Sequence, residues 1–127
     1  MDCPLCKVDG FFENDLFKVL LVDDGGYVRV VTKDHVKELT DLEESEAIGL
    51  FRAVMEIERV MREFIKPDKV NIASFGNQVP HLHIHIIPRF KNDPAWPGSS
   101  FCVEDFKTPK IDTKTYKEKI VECLKSL

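Results

Sequence analysis

Polar and apolar residues alternate strictly through His81, Leu82, His83, Ile84, His85 and Ile86, and Ile87 carries the run on to Pro88 and Arg89. A period of two predicts a half-buried β-strand. Residues two apart on a strand share a face, spaced by about 7 Å. Leu82, Ile84 and Ile86 are therefore expected in the core, with three imidazoles in a row on the opposite side. Residues 11–14 read as a turn into a first strand over 16–22. Asp23, Asp24, Gly25 and Gly26 form a hairpin turn whose glycines can take positive φ, and a second strand returns over 27–32. A third strand is expected over 69–73, and a last one, after an irregular stretch from 89 to 100, over about 101–106.

Two segments carry the helical period instead. Thr40 and Glu43 form a capping box ahead of an apolar stripe through Ala47, Leu50, Phe51, Val54, Ile57, Met61 and Phe64. Pro67 ends it. The acidic residues Asp41, Glu43, Glu44 and Glu46 suit the positive end of the helix dipole and read as a solvated helix start. Asp112 or Thr113 opens a terminal helix over about 112–127, with Tyr116, Ile120, Cys123, Leu124 and Leu127 on its apolar side. Strands, a long helix, further strands and a short helix predict an α+β domain with a largely antiparallel sheet.

Composition narrows the class without changing it. The 127 residues suit one domain, 1–127, and the 18 basic and 22 acidic residues leave a net charge of −4. That balance argues against a nucleic-acid-coating or anionic-membrane protein, while a local electropositive pocket for a small nucleotide is compatible with it. Met1, Asp2, Cys3 and Pro4 lack the basic start and apolar run of a secretory signal. The apolar segments are strand-sized, too short to span a membrane. Four cysteines without a signal point to thiols in a reducing compartment, so a cytoplasmic protein is expected.

Two groups of residues carry chemistry. Cys3 and Cys6 are spaced so that both sulfurs could turn toward one metal ion, although a closed site needs two more ligands. Three of the chain's four histidines stand on the alternating strand, and such a row has two uses. It could hold a catalytic metal with an open position. Alternatively, a central imidazole attacks phosphorus while its neighbours orient it and donate protons. The loop Gly76-Asn77-Gln78 just upstream supplies amides and backbone N–H groups suited to phosphate oxygens. No carboxylate lies between Lys69 and Phe90, which favours phosphorus chemistry.

The segment from Gly76 through Pro80 to Ile87 resembles the signature of the histidine triad (HIT) family. The likeness extends to Cys3 and Cys6 near the start, a strand ending in Thr32-Lys33-Asp34-His35, the long helix, and Asn71 on the next strand. It covers roughly residues 1–98. Ile87-Pro88-Arg89-Phe90 and Asp93-Pro94-Ala95-Trp96-Pro97 are similar to a bacterial subgroup described as diadenosine tetraphosphate hydrolase-like. The resemblance implies a five-stranded antiparallel sheet with a long and a short helix, extended edge to edge in a homodimer. It also implies hydrolysis or transfer at the α-phosphate of a dinucleoside polyphosphate or nucleoside phosphoramidate, with no catalytic metal. By motif position His83 would be the nucleophile that carries the nucleotidyl group, and His85 would contact the phosphate. Asn77 and Gln78 would bind phosphate oxygens, Asn71 would position the substrate, and Asp23, or else Asp24, would match a ribose-binding aspartate. Cys3, Cys6, His35 and His81 would hold a structural zinc within an N-terminal knuckle spanning residues 1–10. Two departures stand out: many members carry Gly-His where this chain has Gly26-Tyr27, and the hairpin before it is shorter than usual.

Overall fold

The computed structural model of the chain describes residues 3–127, so the first two residues of the expected knuckle lie outside the described residues. Helix α1 (Pro4–Lys7) leads into strands β1 (Phe12–Glu13), β2 (Phe17–Leu21) and β3 (Val28–Thr32). Helix α2 (Glu44–Ile65) follows, then β4 (Lys69–Ala73), β5 (His83–Arg89) and helix α3 (Thr113–Lys125). The strands form one antiparallel sheet of order β1-β2-β3-β5-β4. Facing residues such as Val30 and Ile84, or Val28 and Ile86, share a side of the sheet. That side is apolar and buried with Phe17 and Val19 beneath Leu50, Val54, Ile57 and Met61 of α2. The other side carries the odd-numbered residues of β3 and β5, histidines included.

Helix α2 starts three residues later than the Thr40 reading implies. Its N-cap is Glu43, whose N–H is taken by the Glu46 carboxylate at 2.9 Å while its own carboxylate takes the N–H of Glu46. Thr40 sits in a preceding 3₁₀ turn (Leu39–Asp41) with a cap of its own from Glu38 and Asp41. Phe51, assigned to the apolar stripe, is 41% exposed. Lys66 ends the helix in the left-handed region, φ 56°, and Pro67 prevents its resumption. Asp112 caps α3 by accepting the Thr115 N–H at 3.2 Å. Tyr116, Ile120 and Leu124 are buried as expected, but the helix stops at Lys125 and leaves Leu127 exposed. The Tyr116 hydroxyl donates to the Gly26 carbonyl at 2.8 Å, tying α3 to the β2–β3 turn. Gly26 has φ +98°, and a Cβ there would collide with Ile65. Glycine is required at that position.

The fifth strand is not the one expected. Residues 101–106 form no strand, and Ser100–Cys102 is a 3₁₀ turn capped by Ser99, whose Oγ accepts the Phe101 N–H at 3.1 Å. The place is taken by the two residues of β1, which pair with Val19 and Lys18. The cause lies at the end of β5. Arg89 is 2% exposed and donates to both Asp93 carboxylate oxygens at 2.7 and 3.0 Å and to the Gly98 carbonyl at 2.7 Å. Its guanidinium also lies over the Trp96 and Phe106 rings, 5.8 and 5.2 Å from their centroids. The Asp93 carboxylate gathers the N–H groups of Phe90, Ala95 and Trp96. Arg89 foremost, then these N–H bonds, pull the Asp93 pKa down to about 2 against the effect of burial. Side-chain bonds to this buried charge pair fold the segment after β5 back on itself, where a strand would have used backbone ladders.

Candidate active site and cysteine–histidine cluster

The histidine row divides in two. Ladder pairing of β5 begins at His83, while the Leu82 N–H is spent on the Val36 carbonyl at 2.7 Å. His83 and His85 remain side by side, ring centroids 4.8 Å apart, whereas His81 packs edge-on against His35 at 4.9 Å.

Each ring's proton can be assigned from its partner. His83 Nδ1 lies 2.6 Å from the His81 carbonyl. A carbonyl only accepts, so Nδ1 carries the hydrogen and Nε2 keeps its lone pair. Burial, aided by the Arg29 charge, lowers the His83 pKa despite that hydrogen bond and keeps the ring neutral at neutral pH. His85 Nδ1 lies 2.6 Å from the Tyr27 hydroxyl. Burial raises the Tyr27 pKa, so the phenol stays protonated, and because the Arg29 guanidinium donates to its oxygen the O–H is turned to His85 Nδ1. The His85 proton then sits on Nε2. Burial, then Arg29 and His83, push the His85 pKa down to about 4.

Both rings line a cleft of about 470 Å³. The loop Gly76-Asn77-Gln78 forms one bank, with Gly76 at φ +72°. The Ser74 hydroxyl ties the loop to β5 by donating to the His83 carbonyl at 2.8 Å. Phe75 and Phe101, both 53% exposed, stand over His85 with their rings 4.9 Å apart. Arg29 of β3, paired in register with His85, lines the cleft as well.

Behind the row, Cys3, Cys6, His35 and His81 bring four ligand atoms within 4.8 Å of one another, a group that could hold a metal. The Thr32 carbonyl accepts from His81 Nε2 at 2.8 Å, which leaves the Nδ1 lone pair toward the Cys3 and Cys6 sulfurs, each 3.4 Å away. His35 Nδ1 lies 3.1 Å from the Cys6 sulfur. Buried Lys18 holds the segment onto the sheet, its Nζ donating to the Val8 and Cys6 carbonyls at 2.7 and 3.3 Å. Burial opposes ionisation of Cys3. The Cys6 thiol, the backbone N–H groups of Cys6 and Leu5, and the Lys18 charge outweigh it and lower the pKa.

Eight of the ten residues singled out from sequence thus fall into two clusters: His83, His85, Asn77 and Gln78 at the cleft, and the four cysteine and histidine residues behind it. Asn71 and Asp23 are placed elsewhere. Asn71 shares the histidine side of the sheet, but its Oδ1 accepts from Arg89 Nη1 at 2.7 Å and so belongs to the Arg89 network. The Asp23 Oδ1 accepts the N–H groups of Gly25 and Tyr27, at 2.9 and 3.4 Å, and serves the hairpin turn. Neither lines the cleft. Sequence reasoning missed Arg29, Phe75 and Phe101. Only the odd-position alternation of Tyr27, Arg29 and Val31 hinted that Arg29 faces the histidines.

A model of the HIT domain matches residues 11–92. The chain belongs to the HIT family. Among curated relatives, the asymmetrical bis(5'-nucleosyl)-tetraphosphatase of Schizosaccharomyces pombe is 37% identical over 73 residues, 54% of this chain and 40% of that protein. The bis(5'-adenosyl)-triphosphatase of Saccharomyces cerevisiae is 38% identical over 72 residues, 52% of this chain and 35% of its own. The aligned part is thus less than half of either relative. A histidine triad protein from Bradyrhizobium japonicum superposes with a TM-score of 0.72 at 31% identity, covering 94% of this chain and 88% of that one. A second, from Marinobacter aquaeolei, gives 0.73 at 31% identity over 93% and 89%. The HIT fold expected from sequence, a five-stranded antiparallel sheet with helices, is the fold observed.

Proposed function

We propose that this HIT protein is a nucleotide hydrolase that cleaves at the α-phosphate of a dinucleoside polyphosphate. The observation that carries this reading is the His83 ring, neutral and held by the His81 carbonyl so that its Nε2 lone pair is left for the cleft. His83 Nε2 attacks the α-phosphorus, the bond to the bridging oxygen breaks, and the nucleoside polyphosphate departs. Water then cleaves the nucleotidyl–His83 bond, releasing a nucleoside monophosphate and restoring the imidazole. Asn77 and Gln78 amides and the His85 Nε2–H donate to phosphoryl oxygens as charge builds on them. Tyr27, at the position where the family resemblance implies a histidine, fixes the His85 tautomer. The two curated relatives named above, each called a dinucleoside polyphosphate hydrolase, support the substrate class. The test is incubation with diadenosine tetraphosphate, quenched without acid during turnover. AMP and ATP should appear, with one adenylyl group on His83 by mass spectrometry. Hydrolysis without any adduct would remove the covalent route.

The cysteine–histidine cluster fits a structural zinc. Zn–S bonds of about 2.3 Å and Zn–N bonds of about 2.0–2.1 Å imply tetrahedral edges of roughly 3.3–3.8 Å, close to the 3.1 and 3.4 Å sulfur–nitrogen separations seen. Two thiols and two imidazoles are a common zinc set, and the Thr32 carbonyl orients His81 as outer partners of metal ligands do. Zinc would pin α1 to the sheet. A reducing cytoplasm, where the thiols stay free for metal, is the compartment this reading implies.

A second copy of the chain is proposed to cover the open edge at β4. Ile72 of that strand is 44% exposed, and Ile48, Phe51 and Met55 of α2 are 50, 41 and 59% exposed. Their spacing continues to Glu58 and Arg62, which share a surface depression with Lys69 and Val70 of β4. An apolar helix stripe beside an unpaired strand edge suits edge-to-edge pairing of two sheets. Light scattering should give twice the 14.6 kDa chain mass. A monomer at micromolar concentration would end this model.

A further inference from the structure

Arg29 takes no part in the bond changes above, yet it is the one lysine or arginine that lines the cleft, and no carboxylate lines it. It makes no ion pair among the described residues. Its Nε is buried without a hydrogen-bond partner, the one such side-chain atom among the described residues. The Arg29 hydrogen bond to the Tyr27 phenol brings no neutralising charge, and a partly buried cation is costly unless an anion completes it. Arginine presents a planar fork of donors that matches phosphate oxygens.

The position of Arg29 separates it from the donors of the attacked phosphate. That group already has the Asn77 and Gln78 amides on one bank and the His85 Nε2–H at the floor. Arg29 stands on β3, opposite His85 in register and so about 4.8 Å from β5 across the sheet. With no carboxylate beside it in the cleft, it can take a second anionic group. We propose that Arg29 binds the phosphate adjacent to the one His83 attacks, and so makes the site selective for substrates whose leaving group carries phosphate. This rests on His83 attacking an α-phosphate, because the next phosphate then leaves with the departing group. Dinucleoside polyphosphates and nucleoside triphosphates have such a group. A nucleoside phosphoramidate, whose leaving group is an amine, does not.

The test compares Arg29→Leu and Arg29→Lys with wild type on diadenosine tetraphosphate and on adenosine 5'-phosphoramidate. Losing a charge-assisted hydrogen bond should lower kcat/KM of the leucine variant on the tetraphosphate by about 10- to 100-fold. Its kcat/KM on the phosphoramidate should fall several-fold less than on the tetraphosphate, since there Arg29 acts only through its charge on His83 and His85, and the lysine variant should recover part of the loss. Equal losses on both substrates would overturn the proposal, because Arg29 would then serve the attacked phosphate or His85. No loss on either would also overturn it. Calorimetry with inorganic pyrophosphate gives a readout independent of turnover: the leucine variant should bind it at least about tenfold more weakly than wild type. A chain that hydrolyses nothing, yet loses pyrophosphate affinity in this way, would sink the hydrolase reading and keep Arg29 as a phosphate ligand. Unchanged pyrophosphate binding would sink the assignment of Arg29 itself. Matching circular-dichroism melts would show that the variants fold.

Discussion

His83→Asn should abolish turnover of diadenosine tetraphosphate while leaving nucleotide affinity within about threefold. Asparagine is close to imidazole in its first atoms, and its amide N–H can still donate to the His81 carbonyl that holds His83 at 2.6 Å. What disappears is the Nε2 lone pair. Removing a covalent nucleophile from an assembled site lowers kcat by roughly 10³- to 10⁶-fold. The loop amides and the His85 Nε2–H remain, so ground-state binding should survive. The adenylyl adduct should vanish along with turnover. His85→Asn is the informative partner, since that side chain donates to the phosphate without forming a bond to phosphorus. It should slow turnover and still permit the adduct. Near-normal activity of His83→Asn, or an adduct persisting on that variant, would mean that another group attacks.

The site was legible in the sequence to the extent that it depends on alternation along one strand. His83, His85 and the preceding loop could be placed at one locus because residues two apart share a face. What could not be read is pairing register. That Arg29 and Tyr27 face His85 follows from β3 lying beside β5 with Arg29 opposite His85, and no local pattern in either strand dictates this partner. The split of the histidine row has a similar origin. His81 obeys the alternation, but the Val36 carbonyl captures the next N–H and the Thr32 carbonyl takes His81 Nε2. Both partners are distant in sequence.

The fold shows the same boundary. Helix α2 and the β2–β3 hairpin follow from local period and turn chemistry. β1 is two residues long, too short to display a period of two. The segment 101–106 has strand-like composition but is organised by Arg89, which folds the chain back through Asp93 and Gly98. Asn71 was assigned to substrate on family likeness. Its capture by Arg89 depends on Arg89 being buried at 2% exposure, a property of tertiary packing.

Protein purified without a histidine tag should contain close to one zinc per chain, and Cys3→Ser with Cys6→Ser should lose it. Serine keeps the size of cysteine but provides no thiolate, and zinc has little affinity for a neutral hydroxyl in a closed site. The consequence for stability is bounded by the architecture. The core beneath α2 contains neither cysteine, so the sheet does not depend on metal as a zinc finger does. Zinc adds linkage free energy to the native state, about 2.7 kcal/mol when free metal exceeds its Kd a hundredfold. For a chain of this size the melting temperature should therefore fall by roughly 10 °C in the double variant. The loss should be concentrated in the N-terminal segment, which the Lys18 bonds to the Val8 and Cys6 carbonyls and the packing of Leu5 against Val31 would then hold. Hydrogen exchange should show faster opening near α1 while β5 keeps its protection. At low temperature the variant should still turn over substrate, because the His81 carbonyl that orients His83 is kept in place by the β3–β5 ladder and by the bond from His81 Nε2 to the Thr32 carbonyl. His35→Ala should weaken zinc binding without touching the cleft, separating loss of metal from damage to the histidine strand. Wild-type protein that takes up no zinc from a metal-supplemented buffer would overturn the assignment, whatever His83→Asn does to turnover.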